Sequence, residues 1–410
     1  ALLSQRELYK REYQPEALPS LIDMLAIARP LAPILAAQPS LLDAMVEPDF
    51  DDMDTASSYG RYAAFSQKEL AFEDALNGVR RAVHEDHFKL MAGLLNARDA
   101  PKAGMAFTAT AEAAIKALLP QARRETERLY GDIQGEFALL GFGKLGGREM
   151  SYTSDIDIVL VYKPHEDGGS ADQFNKLTRR IVTALSADTS EGGLYEVDVA
   201  LRPSGRAGPL AVNINTLKKY YADNAWTWEF MALSRARVIA ASAPTFADEL
   251  TQTIAQILQA KDFEGKLAAD IKDMHERLLR DKPAKGAWDI KGAVGGLRDI
   301  EFIAQYLVLK YKPEQAGRAT IDMLTLAQTN GWIKADNADF LVQTAQLYHC
   351  LIQVLSVAAS GILNPEKAPK PILVLLAKTA GFDSFSALNE DLKIRKVRVA
   401  KLLTGFLAAD

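Results

Sequence analysis

Apolar residues recur every three or four positions along "LPSLIDMLAIARPLAPILAAQPSLLDAMV", residues 18–46. That spacing puts them on one face of a helix, and Pro19, Pro30, Pro33 and Pro39 mark helix starts or breaks. The same period runs through "SQKELAFEDALNGVRRAVHEDHFKLMAGLLNAR" (66–98), where Ser66 is the expected N-cap with Leu70 and Phe72 inside the helix. A third helical stretch, "GMAFTATAEAAIKALLPQARRETERLYGDI", follows at 104–133. The pattern then shortens. "EFALLGF" (136–142), "SDIDIVLVY" (154–162) and "GLYEVDVALR" (193–202) are short and β-rich, and the last alternates cleanly. Between the second and third lies a run of helical spacing, "SADQFNKLTRRIVTALSADTS". After "MALSRARVIAAS" the 3.6-residue period returns in "FADELTQTIAQILQAKDFEGKLAADIKDMHERLLRDK" and "LRDIEFIAQYLVLKYK". The pattern predicts an α+β fold: a small mixed sheet at 131–245 between helical regions at 1–130 and 246–410.

Composition changes this picture little. The 410 residues suffice for more than one core, and 48% hydrophobic and 25% charged residues are globular averages. No run of 18 apolar residues is present, so no membrane span is expected. The opening "ALLSQRELYKREYQPE" has neither a signal-peptide layout nor an initiator methionine, as expected of a piece of a longer polypeptide. The single cysteine, Cys350, excludes an intrachain disulfide and suits a reducing cytoplasm; its apolar helical setting predicts a buried, inert thiol. A net charge of −5 argues against non-specific binding to nucleic acid.

The chemistry concentrates at "GFGKLGGREMSYTSDIDIVLVY", residues 141–162. Residues i and i+2 of a strand share a face, so Asp155 and Asp157 project together while Ile156 and Ile158 cover the other side. Two neighbouring carboxylates repel, and a cation between them removes that cost. In "YEVDVALR", Asp198 is a third carboxylate that strand pairing could bring alongside. Three such groups can hold one or two magnesium ions for phosphoryl displacement; salt bridges to Lys144, Arg148 or Arg202 are the other reading. Gly141, Gly143 and Gly146 satisfy G-x-G-x-x-G, but no helix of dinucleotide-binding length follows. The Walker pattern fails because no Ser or Thr follows Lys144. What remains is a turn around Gly143, Lys144, Gly146, Gly147 and Arg148 able to line a phosphate chain.

Other candidates have two readings each. Arg202, Ser204, Gly205 and Arg206 of "LRPSGRAG" form either a nucleotide contact or a plain turn with a surface arginine. Trp226 and Trp228 are expected in the core rather than stacked on a base. Arg235 and Arg237 steady phosphates or pair with acids. Asp299 and Glu301 suit a helix start, and His84 and His87 a solvated helix face.

Together these stretches resemble the polymerase β-type nucleotidyltransferases, and within them the bacterial glutamine synthetase adenylyltransferase/adenylyl-removing enzymes. The resemblance rests on residues 141–162 with "LYEVDVALRPSGRAGPLAV", "NAWTWEFMALSRARVIA" and "DIKGAVGGLRDIEFIAQYLVLKY". "LRPSG" and "AWTWE" look more like the adenylylating half of such enzymes than the removing half; Ala200 stands where many members have arginine. The resemblance implies transfer of AMP from ATP to a tyrosine of glutamine synthetase. Asp155, Asp157 and Asp198 would be catalytic and would bind Mg2+. Gly143, Lys144, Gly146, Gly147, Arg148, Ser154, Arg202, Ser204 and Gly205 would contact nucleotide, with Glu229, Arg235 and Arg237 as further candidates. It also implies a cytoplasmic enzyme regulated by the PII signalling protein and glutamine. The alternatives are an adenylyl-removing half acting by phosphorolysis, or a nucleotide-binding regulatory module without turnover.

Overall fold

The alternation between the two periods resolves into an α+β fold in the computed structural model. It describes residues 24–408 except 26, 29–30, 38–40, 42–53, 67–69, 96–99, 166–169 and 360–361. The helix boundaries expected at Pro19, Pro30 and Pro39 lie outside the described residues. Helices α1 (Leu31–Ala37), α2 (Thr55–Ala63), α3 (Phe72–Leu95) and α4 (Ala100–Tyr130) come first. Helix α3 starts at Phe72, five residues later than a Ser66 cap would start it. That hydroxyl instead donates to the Ala117 carbonyl, and Leu70 lies outside the helix.

The core follows as β1 (Gly135–Gly141), α5 (Gly143–Gly147), β2 (Ile156–Pro164), α6 (Ala171–Ser186), β3 (Val197–Asp198), β4 (Ala211–Asn213), α7 (Ile214–Asp223), α8 (Thr227–Ser234) and β5 (Arg237–Ala241). Strand β1 pairs antiparallel with β2 on one side and β5 on the other. The free edge of β2 is shared: β3 lies parallel to its start and β4 parallel to its end. Residues Ile156 and Ile158–Val161 are all buried, the continuous apolar run of a strand covered on both faces. Helices α4 and α6 pack together on this core, and Tyr162 of β2 stacks on Phe174 of α6 at 4.1 Å. The strand expected at 193–202 is only two residues long. Beyond Asp198 the chain bends because the Asp198 carboxylate accepts its own Ala200 N–H and Arg202 donates to the Val199 carbonyl.

Helices α9 (Pro244–Ala260), α10 (Leu267–Asp281), α11 (Leu297–Tyr311), α12 (Thr320–Thr329), α13 (Ala335–Ala358), α14 (Lys370–Thr379) and α15 (Phe385–Leu407) complete the chain. Helix α13 is long and apolar enough to cross a membrane by length and composition, with mean hydropathy 1.3. It is mostly buried here, packed on α4, α11, α12 and α14. Cys350 on that helix is buried as expected, and burial pushes its thiol up to about 11. His87, expected in solvent, is instead buried against Phe107, Tyr152 and Tyr195, and burial drives its imidazole from 6.5 down to about 3.

Candidate functional site: three aspartates beside a glycine helix

The β1–β2 register sets Gly141 opposite Ile158 and lets the Phe142 N–H donate to the Asp157 carbonyl at 2.9 Å. The chain therefore leaves β1 directly beside the aspartates, and the expected glycine turn is the five-residue helix α5. Three glycines are there because something stands where a side chain would be. A Cβ on Gly143, at φ +52°, would meet the Asp157 carboxylate at 2.6 Å. On Gly146 it would strike the Arg235 carbonyl at 2.1 Å, and on Gly147 the Arg235 guanidinium at 2.3 Å.

Asp157 is half-buried and Asp155 and Asp198 are exposed; Asp155 lies just ahead of β2 rather than within it. Asp157 sits directly across from Asp198 in the parallel β2–β3 pair. Asp155 and Asp198 line one open cleft of about 340 Å³ with Glu196, Ala200, Arg202 and Arg206. Burial, then the charges of Asp155 and Asp198, push the Asp157 carboxyl from 3.8 to about 6; Lys291 and Lys144 pull the other way. Like charges thus crowd Asp157, and the acids around it offer carboxylate oxygens, the set a hard divalent cation takes. Among the described residues, no group of three His, Cys, Asp or Glu side chains stands close enough to hold a metal as placed. One reason is that Asp198 Oδ1 is turned back onto the Ala200 N–H at 2.6 Å.

The remaining candidates divide. The Lys144 ammonium donates to Ser154 Oγ at 3.2 Å, and Ser154 Oγ also accepts the Ser151 N–H at 2.8 Å, tying the loop that leads into β2. Burial, then the charge of Lys291, lower Lys144 from 10.5 to about 8. Arg148, in the left-handed conformation that ends α5, is exposed, and so is Ser204 at φ +63°, next to Gly205. Arg202 is buried and committed to the Val199 and Gly208 carbonyls. Arg237 binds Glu112 of α4 and the Leu145 carbonyl at 3.1 Å, so it holds α5 from beneath. Glu229 is buried as a helix cap, accepting the Trp226 N–H at 2.9 Å and the Tyr220 hydroxyl at 2.8 Å. Trp226 and Trp228, expected in the core, are 72% and 41% exposed. They lie near the start of α8, where the cap turns that face outward.

A buried charge cluster under α5 was not foreseen. Arg235 lies between Glu149, with which it forms an ion pair, and Glu301, at 3.1 Å. Glu149 also accepts the Thr320 N–H at 2.7 Å, and His349 stands 3.6 Å away. Burial alone would lower Arg235, but the two glutamates raise it above its ordinary value. Glu301 thus answers an arginine rather than a helix dipole. Asp299 caps the loop before α11, accepting the Gly295 N–H at 2.7 Å and facing His275 Nε2 at 2.8 Å. Lys291, on the same loop, was also missed; its only sequence signal was its place in "DIKGAVGGLRDIEF".

Comparison with known proteins gives two family-model matches and a set of curated relatives. Residues 18–253 match the model of the glutamate-ammonia ligase adenylyltransferase family, and residues 265–407 match the model described as GlnD PII-uridylyltransferase. The chain is similar to the bifunctional glutamine synthetase adenylyltransferase/adenylyl-removing enzyme of Xanthobacter autotrophicus, with 35% identity over 96% of this chain and 41% of that protein. The enzymes of that name from Bradyrhizobium diazoefficiens and Caulobacter vibrioides are 34% and 35% identical. They cover 94% and 92% of this chain and 40% and 39% of their own lengths. The chain therefore spans about two-fifths of the curated relatives it matches.

Proposed function

The chain belongs to the glutamate-ammonia ligase adenylyltransferase family, and on that footing we propose that it transfers AMP from ATP to a tyrosine hydroxyl of glutamine synthetase. The observation that carries the reading is Asp157, its carboxyl raised to about 6 between Asp155 and Asp198, inside the segment the family model matches. Asp155, Asp157 and Asp198 would hold Mg2+, which when bound neutralises phosphate charge and lowers the pKa of a nearby hydroxyl. Asp198 takes the proton of the attacking tyrosine. The tyrosine oxygen forms its bond to the α-phosphorus, the bond to the β-phosphate breaks, and pyrophosphate leaves. Lys144, next to Ser154, supplies positive charge for the departing group, and Arg148, Ser204 and Gly205 contact nucleotide at the exposed rim. Gly146, Gly147, Arg202, Arg235 and Arg237 position this machinery. The enzyme works in the cytoplasm. Its regulators are the PII protein and glutamine; the match of residues 265–407 to a PII-uridylyltransferase model supports the PII part of that reading.

The relatives' name covers both directions of the reaction, so the test runs both. Unmodified glutamine synthetase is incubated with the chain, ATP and Mg2+, and weighed by intact-protein mass spectrometry, with Asp155→Ala in parallel. The expected result is a gain of one AMP per modified tyrosine with the unsubstituted chain only. Removal of AMP from adenylylated synthetase by phosphate, without addition, would establish the adenylyl-removing reading instead. Silence in both directions would leave a nucleotide-binding module.

A further inference from the structure

Most cations near the three aspartates are already committed: Lys144 to Ser154, Arg202 to backbone carbonyls, Arg235 and Arg237 to glutamates. Among the described residues Lys291 is not, nor are the exposed Arg148 and Arg206. Lys291 is exposed, and among the described residues its ammonium makes no hydrogen bond or ion pair. It comes from the C-terminal helical region, 134 positions beyond Asp157 in sequence, yet a short chain of contacts joins the two. The Lys291 carbonyl accepts the Arg298 N–H at 3.2 Å, which seats Lys291 on the first turn of α11. One turn along, Glu301 reaches Arg235; Arg235 fills the space beside Gly147; and Gly143, at the other end of α5, abuts Asp157.

The loop carrying Lys291 is also held from every side, which an exposed loop of no consequence does not require. Gly295, at φ +74°, donates its N–H to buried Asp299, and its carbonyl accepts the Tyr348 hydroxyl at 3.0 Å. The backbone of Lys396 on α15 lies 1.9 Å from where a Gly295 Cβ would be. Gly292 donates to Asp289 at 2.6 Å, and the Lys396 ammonium donates to Ala287 at 2.6 Å. Helices α11, α13 and α15 thus fix one unpaired lysine within electrostatic reach of Asp157, Lys144 and Glu301.

We infer that Lys291 is a phosphate-binding residue of the site, placing its ammonium on the phosphates of a nucleoside triphosphate that are not transferred and on the pyrophosphate they become. The inference rests on the nucleotidyl-transfer reading. It gives the C-terminal helical region a direct part in binding substrate, beyond supporting the core.

The test is titration of the full chain with ATP, pyrophosphate and AMP in Mg2+, comparing the unsubstituted chain with Lys291→Ala, Lys291→Arg and the control Lys285→Ala, an exposed lysine six residues upstream. Loss of one charge-assisted phosphate contact is expected to weaken ATP and pyrophosphate about tenfold in Lys291→Ala. AMP binding should stay within about twofold. Lys291→Arg should keep most of the ATP affinity, and Lys285→Ala should match the unsubstituted chain. Unchanged ATP affinity in Lys291→Ala, or equal weakening of AMP and ATP, overturns this inference and leaves the nucleotidyl-transfer reading intact. An unsubstituted chain that binds no ATP overturns both.

Discussion

Replacing Asp157 by asparagine should stabilise the metal-free protein while removing its activity. The carboxyl is raised from 3.8 to about 6 by burial and by Asp155 and Asp198. The native state therefore holds that proton more tightly than the unfolded chain does. Stability from this group is fully present below pH 3.8, is lost as pH rises towards about 6, and is flat above. At 1.36 kcal/mol per pH unit between the two values, the ionised carboxylate costs the fold about 3 kcal/mol at pH 8. An asparagine has the same shape and no charge, but its amide must still be desolvated, so the expected gain is about 1–3 kcal/mol. Urea unfolding in EDTA at pH 5 and pH 8 measures it. The gain of Asp157→Asn should be about half as large at pH 5, where part of the wild-type population is protonated. Added Mg2+ should raise the unfolding midpoint of the wild type more than that of the variant, because only a ligand that binds the native site shifts the equilibrium. A variant no more stable than wild type at pH 8, or a gain that does not vary with pH, would refute the argument that like charges crowd Asp157.

Two further substitutions probe the frame around the aspartates. Gly143→Ala puts a Cβ against the Asp157 carboxylate and into a backbone conformation at φ +52°; it should lower Mg2+-ATP affinity at least about tenfold for a stability loss of roughly 1–2 kcal/mol, read by nucleotide titration beside thermal melting, and unchanged affinity would contradict it. Arg235→Met leaves Glu149 and Glu301 buried without their cation and should cost about 3–5 kcal/mol in urea unfolding; a loss below about 1 kcal/mol would mean the glutamates find other partners.

Much of the site could be read along the chain because its signals are local. Strand alternation predicted Asp155 and Asp157 as a pair on one strand face; β2 begins one residue after Asp155, whose charge still helps raise Asp157. Asp198 was legible for the same reason, and the parallel β2–β3 pair brought it opposite Asp157. The length of its strand was not legible, since the hydrogen bonds of Asp198 and Arg202 that end it form only in the bent chain. Strand β5, within "RARVIAAS", escaped notice because it is only five residues long and lies directly between two helices. Trp226 and Trp228 are apolar by type and exposed in place, because the Glu229 cap orients the start of their helix.

The sequence by itself determined the order strand, glycine turn, strand, helix and acidic strand, and set the glycines beside the paired aspartates, because periodicity and backbone freedom act between near neighbours. Only the tertiary structure decided which charges meet. Glu149, Arg235, Glu301 and His349 come from four separate stretches of the chain to bury one cluster beneath α5. The charge of Lys291 acts on Asp157 only because α11, α13 and α15 hold its loop there. A buried charge announces in sequence that it needs a partner, and which partner it gets depends on the packing of elements far apart along the chain.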